Sequence, residues 1–194
     1  MVHAARSSFT RISALLLSLS VAALGVWSQP SAPQKGAATI PTGQFHDAET
    51  GTEFTLPGDW TVTSHGHSPE GGQQIGLAFK DAPAEGFVWM KSQSIPQADI
   101  IERLRSQVDF KAAQRKGVPG YKMLRDTAER RFVGGQPALS IQAEYTEGAV
   151  RKIEYHVWVI TENTHVYVAS RSAASDFPKV KASIDRFLAT FHVE

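Results

Sequence analysis

Between residues 129 and 172 the chain alternates long β-rich runs with short turn signals. Gly134-Gly135 and Glu162-Asn163 are tight-turn dipeptides, and Glu147-Gly148-Ala149 is a third candidate. The runs between them, residues 136–146, 150–161 and 164–172, are rich in Val, Ile, Tyr and Trp and read as consecutive antiparallel strands. Side chains alternate between the faces of a strand, so register decides which residues share a face. A two-residue loop at Glu162-Asn163 sets Val159 opposite Val166 and Val157 opposite Val168. On the reverse face it sets Trp158 opposite Tyr167, His156 opposite Ala169 and Glu154 opposite Arg171.

For the preceding hairpin, a loop of Glu147-Gly148 mixes the faces. A three-residue glycine-bulge loop, with Ala149 included, pairs Ala143 with Ile153, Ile141 with Tyr155 and Leu139 with Val157. It also sets Glu144 against Lys152, an opposite-charge pair contributing ~0.2–1 kcal/mol. That register predicts an apolar face of Leu139, Ile141, Tyr155, Val157, Val159, Val166 and Val168. The other face is mixed: Gln142, Glu144, Lys152, Glu154, His156, Trp158, His165, Tyr167 and Arg171. A half-solvated antiparallel sheet has this pattern.

Two helices are expected to cover the sheet. In residues 96–113, Ile100, Ile101, Leu104 and Val108 recur at helical spacing behind Pro96, and Gly117, Pro119 and Gly120 end the run. In residues 175–191, Ser175 is a candidate cap and Phe177, Val180, Ile184, Phe187, Leu188 and Phe191 form one stripe. Further strands are expected near Phe54 and Leu56, at Thr61-Val62-Thr63, and at residues 75–80 and 86–93. Trp60, just after the Pro57-Gly58 turn, reads as a plug for the core. Residues 64–74, with His65, His67, Gly71 and Gly72, read as a loop.

Composition adds compartment. Residues 1–28 carry His3, Arg6 and Arg11, then the apolar run 12–26 and Val26-Trp27-Ser28, which reads as a signal peptide cut after Ser28. Ala23-Leu24-Gly25 is an alternative cut, and an uncleaved anchor is the alternative fate. Residues 29–43 contain Pro30, Pro33, Gly36 and Pro41 and read as a flexible tether to a domain at 44–194. The chain has 20 basic and 19 acidic residues, and loss of Arg6 and Arg11 leaves 18 against 19. Such neutrality gives no reason to expect nucleic acid. With no cysteine, disulfides, thiolate metal sites, a cysteine nucleophile and a lipidated cysteine anchor are all excluded. A periplasmic or secreted location follows as the expectation.

With these residues in view the chain resembles the PsbP/Mog-like superfamily. The resemblance rests on the stretch from Gly51-Thr52-Glu53-Phe54 through Leu56-Pro57-Gly58-Asp59-Trp60, and on Val133-Gly134-Gly135-Gln136-Pro137-Ala138. It is supported by a long helix after a strand pair and by two long strands followed by a closing helix that ends in Phe191. It implies an α+β fold, an α/β/α sandwich around a central antiparallel sheet, with a binding or assembly role and no cofactor. The expected partner is a protein of the bacterial envelope. A small-ligand or metal carrier, or a hydrolase, using a cleft near loop 64–74 is the alternative.

Candidate chemistry is sparse. No P-loop, dinucleotide fingerprint, H-E-x-x-H helix or G-x-S-x-G elbow is present. His65 and His67, with His46 or Glu70, could supply metal ligands, although only two are sure to be neighbours. Glu154, His156, Trp158, Tyr167 and Arg171 form the candidate binding surface, since aromatics with arginine dominate hot spots. If helices cover this face, Trp158 and Tyr167 become core and His156 a satisfied buried imidazole, which is the arrangement favoured. Lys111, Arg115, Lys116, Lys122, Arg125, Arg130 and Arg131 read as a solvated basic loop, with an anionic-partner patch as the alternative.

Overall fold

The structure, a computed structural model, describes residues 43–194; the expected signal peptide at 1–28 and the tether up to residue 42 lie outside the described residues. Strands β1 (Gln44–Asp47) and β2 (Thr52–Thr55) pair as a small antiparallel hairpin. The main sheet contains β3 (Trp60–His67), β4 (Gln73–Phe79), β5 (Glu85–Ser92), β6 (Lys122–Val133), β7 (Gln136–Glu147), β8 (Val150–Ile160) and β9 (Thr164–Ala173). Its order is β3-β4-β5-β9-β8-β7-β6, and every neighbouring pair is antiparallel. A 3-10 turn at Gln97–Asp99 leads into helix α1 (Ile100–Gln114), and helix α2 (Phe177–Leu188) follows β9. The expected α/β/α sandwich is therefore present, with α2 packed on one face and α1 on the other.

The β8–β9 register is the expected one: Val159 pairs with Val166, Trp158 with Tyr167, His156 with Ala169 and Glu154 with Arg171. Thr161 shapes that turn, its Oγ1 accepting hydrogen bonds from the Asn163 and Thr164 amides at 3.2 and 2.9 Å. The β7–β8 register differs from expectation. Its loop is Gly148-Ala149, with Gly148 at φ 61°, and Ile141 pairs with His156, Leu139 with Trp158 and Glu144 with Ile153. Leu139 and Ile141 thus sit with Trp158 under α1, while Tyr155, Val157 and Val159 sit under α2. Gln142 and Glu144 move to the α2 side of the strand, and Glu144 pairs with Arg151 instead of Lys152. The physical reason is that both faces of β7 and β8 are covered, so apolar residues occupy both parities and the half-solvated pattern does not apply.

Other boundaries also shift. Residues 64–74 are mostly strand, because β3 runs to His67 and β4 starts at Gln73, leaving a short turn at 68–72. The basic stretch expected to be a loop is largely the edge strand β6, which breaks register between Leu124 and Glu129. Ile101 lies on the solvent side of α1, whereas Ile100, Leu104 and Val108 are buried. Asp176, not Ser175, occupies the cap position of α2, without a side-chain capping bond.

The core under α2 is aromatic at its N-terminal end of the chain. Phe54 stacks on Phe45 and Phe191 with centroids 4.7 and 4.9 Å apart, and Phe187 meets Phe54 edge-on at 5.1 Å. Trp60 is the expected plug; its Nε1 donates to Ser183 Oγ at 2.7 Å, which ties the start of β3 to α2. Gly134 and Gly135, at φ 57° and 79°, form the two-residue turn between β6 and β7, which demands positive φ at both positions. Replacing the fully buried Phe187 by Ala is expected to lower unfolding free energy by about 3–5 kcal/mol, read as a drop in urea midpoint.

Candidate functional site

The α1 face of the sheet holds a buried polar chain that starts at the C-terminus of α1. Arg115 follows the last helical turn and points inward, where its Nη2 donates to Glu154 Oε1 at 2.6 Å. Glu154 and His156 are 0% exposed and Arg115 4%. The guanidinium lies over both the Tyr121 and Tyr145 rings, 5.3 and 5.6 Å from their centroids, which are themselves 6.1 Å apart. A planar cation suits contact with two ring faces in a way an ammonium does not. Tyr121 Oη donates to Glu154 Oε2 at 3.2 Å and lies 3.2 Å from His156 Nε2, while His156 Nδ1 lies 2.7 Å from Tyr167 Oη. Because Tyr121 gives its proton to the carboxylate, the pattern closes with His156 Nε2–H donating to Tyr121 and Tyr167 donating to Nδ1. Burial holds the His156 pKa below its ordinary value, against the pull of Glu154. Burial pushes the Tyr121 and Tyr167 pKa values up, with Glu154 adding to both, so the phenols keep their protons.

Beside this chain lies a cavity of about 710 Å³. Helix α1 crosses β7 and β8 and leaves the same face of β3, β4 and β5 open. Phe87 and Trp89 of β5, Tyr167 of β9 and Trp158 of β8 line it, and Phe110 of α1 stands at its edge, 58% exposed. Gln107, Phe110, Lys111 and Gln114 reach it from one flank of α1, at the spacing that puts side chains on a single helix face. The opposite wall is polar, with Thr63, Ser64, Ser68 and Gln74. Gly76 keeps that wall low, because a Cβ there would collide with the Ser64 and Thr63 hydroxyls. The turn at 68–72 closes one end and is held by Trp89 Nε1 donating to the Gly71 carbonyl at 2.9 Å.

Five titratable groups line the cavity, Glu70, Glu85, Lys111, His165 and Tyr167, and burial shifts the last three. Burial lowers the Lys111 pKa; Glu154 and Glu70 oppose the shift and Arg115 reinforces it. The Lys111 ammonium sits 5.3 Å above the Tyr167 ring centre, and among the described residues no carboxylate reaches ion-pair distance from it. Burial, with Arg103 and Lys91 nearby, pushes the His165 imidazole down to about 4. Its Nε2 has no hydrogen-bond partner among the described residues. Tyr167, as above, remains a phenol.

Of the five residues expected to form a binding surface, Glu154, His156, Trp158 and Tyr167 come together, buried beneath α1. Trp158 and Tyr167 also line the cavity. Arg171 lies on the same face further along β9, donating to Glu85 Oε2 at 2.5 Å and Tyr145 Oη at 3.3 Å. His65 and His67 are strand residues: His65 meets the Phe45 ring edge-on and His67 Nε2 lies 3.3 Å from Gln73 Nε2. His46 pairs with Glu53 at 2.9 Å. No three His, Asp or Glu side chains among the described residues converge on a metal-sized point. Phe110 and Tyr121 had no assigned role in the sequence reading, and Lys111 and Arg115, read there as part of a solvated basic loop or an anionic-partner patch, instead lie at the cavity and in the buried polar chain. The one available signal was Phe110, an apolar residue off the main stripe of its helix.

No family model matches the sequence, and no curated protein matches it. Solved structures do. LpqN of Mycobacterium tuberculosis, described as involved in cell envelope biogenesis, superposes with a TM-score of 0.57 at 12% identity, over 77% of this chain and 88% of its own. CyanoP, the cyanobacterial PsbP of Synechocystis sp. PCC 6803, gives 0.54 at 17% identity, over 86% and 99%. A Bacteroides thetaiotaomicron VPI-5482 protein gives 0.56 at 11% identity over 80% of this chain, which spans about half (49%) of that one. At these identities the likeness is one of fold, and the chain has a PsbP-like fold. No helix among the described residues is long and apolar enough to cross a membrane.

Two outcomes follow from the buried groups. Arg115→Met strands the Glu154 carboxylate and is expected to cost about 3–5 kcal/mol, whereas Arg115→Met with Glu154→Leu should recover most of that loss in chemical denaturation. His156 and His165 are held below their ordinary value of 6.5 when folded, so the unfolded chain takes up protons first as pH falls. Their contribution to stability is intact above pH 6.5 and declines as pH falls toward about 4. Denaturant midpoints should therefore fall across that window, and His165→Gln should flatten the fall.

Proposed function

We propose that the chain is a non-catalytic binding protein of the bacterial envelope that holds a small apolar molecule in the cavity between α1 and the β3–β5 half of the sheet. The observation that carries this reading is the cavity itself. Its volume of about 710 Å³ falls within the ~300–1,000 Å³ typical of ligand sites, and such sites pair an aromatic lining with a few polar groups. It opens beside the turn at 68–72, where the carrier alternative had set its cleft. The expected protein-docking face, by contrast, is largely sealed by α1. Its accessible remainder is the aromatic floor formed by Trp158 and Tyr167.

The chemistry of the lining also supports binding over catalysis. Tyr167 holds its proton too tightly to act as a base near neutrality. No serine or threonine hydroxyl among the described residues is hydrogen-bonded to a histidine, the pairing an activated hydroxyl nucleophile needs. The envelope assignment draws on the export signal expected at residues 1–28. The description of LpqN as involved in cell envelope biogenesis points the same way. Handing the bound molecule to an envelope protein is the partner role this reading retains.

The test uses N-phenyl-1-naphthylamine, a neutral apolar dye that brightens out of water. One dye per chain should bind, with energy transfer from Trp89 and Trp158. Ala78→Phe, which places a ring on the cavity wall, should weaken binding at least tenfold while leaving the melting temperature within a few degrees. Absence of dye binding, or equal affinity in the filled variant, would reject the cavity as a site.

A further inference from the structure

The cavity contains one cation without a counter-ion. Lys111 Nζ lies over Tyr167 in a largely apolar surround, and no carboxylate of the described residues is within ion-pair reach of it. Arg103, near His165, does not line the cavity, and three other cations nearby are committed. Arg115 is held by Glu154, Arg171 by Glu85 and Tyr145, and Lys91 by the Glu70 carbonyl at 3.0 Å. A charge partly withdrawn from water, with Glu154 and Glu70 acting on it only from beyond ion-pair distance, is unfavourable, and an anionic group on the ligand reduces that penalty. We propose that the ligand is a long-chain monocarboxylic acid, its carboxylate on Lys111 and its alkyl chain lying along β4 and β5 over Phe87 and Trp89. This assignment rests on the cavity reading above and adds the class of molecule.

Three features select that class. A lone ammonium is a point charge that matches one carboxylate, whereas phosphate groups favour arginine forks, and no uncommitted arginine lines the cavity. Glu70 and Glu85 lie on the same lining and would repel a head group of higher charge. The cavity is long in one direction: its lining runs along β4 from Gln74 to Ala78, roughly 13 Å at strand spacing. A narrow trough walled by Phe87 and Trp89 on one side and by short residues on the other (Ser64, Gly76, Ala78) takes an extended chain better than a fused ring system.

Titration calorimetry with decanoate, decanol and decyl phosphate on the protein, with the dye as an independent monitor of the cavity, tests the assignment. Decanoate should bind at least tenfold tighter than decanol. That preference should vanish in Lys111→Met and Lys111→Gln, both of which should still bind the dye. Lengthening the acid from octanoate should tighten binding about fourfold per methylene. Decanol binding as well as decanoate, a preference that survives both substitutions, or tighter binding of decyl phosphate would overturn the carboxylate assignment while the cavity stands. Loss of dye binding by the unsubstituted protein would remove the cavity and this assignment with it.

Discussion

The arrangement depends on a single ion pair set inside the sandwich, Arg115 on Glu154. Withdrawing both charges from water is costly, and the pair is tolerable only because its neighbours complete it: two tyrosine rings lie against the cation and the Tyr121 hydroxyl supports the anion. Glu154 belongs to β8 and Arg115 follows α1, so the bond fixes where the helix ends over the sheet. With its end tied there and Ile100, Leu104 and Val108 seated on Leu139, Ile141 and Trp158, α1 has no freedom to drift toward β3. The open trough over β4 and β5 is what remains.

The two faces of the sheet use different physics. Under α2 the core is apolar with polar ties around it, such as Trp60 to Ser183 and Arg131 to Asp185, and the aromatic cluster of Phe45, Phe54, Phe187 and Phe191 joins the small hairpin to the helix. Under α1, apolar packing is interrupted by a row of groups that must all find partners. That row orients Tyr167, whose hydroxyl is held by His156 while its ring faces Lys111 and the cavity. The polar interior is thus connected to the binding surface through one side chain.

Much of this was legible in the sequence. Strand order within the β8–β9 hairpin followed from Glu162-Asn163 and its alternation, and the α2 stripe from its spacing of phenylalanines. The neighbouring β7–β8 register was misjudged because period-two reasoning needs one wet face, and Leu139, Ile141, Val157 and Val159 are buried on opposite sides. Glu154, His156, Trp158 and Tyr167 could be grouped because one strand pair carries them all. Arg115 could not, since nothing local distinguishes it from the exposed Lys116 beside it; its role exists only once α1 lies across β8. Lys111 and Phe110 are hidden for the same reason, as a cavity is a property of what a helix leaves uncovered.

The sheet order carries a kinetic consequence. Strand β9, the last of the described strands in chain order, lies at the centre of the sheet between β5 and β8. Until it emerges from synthesis, β3–β5 and β6–β8 are two unjoined ribbons, each lacking the neighbour that completes its backbone pairing. The sheet therefore cannot close before β9 is available, and such distant partnerships make folding slow relative to helical proteins of similar size.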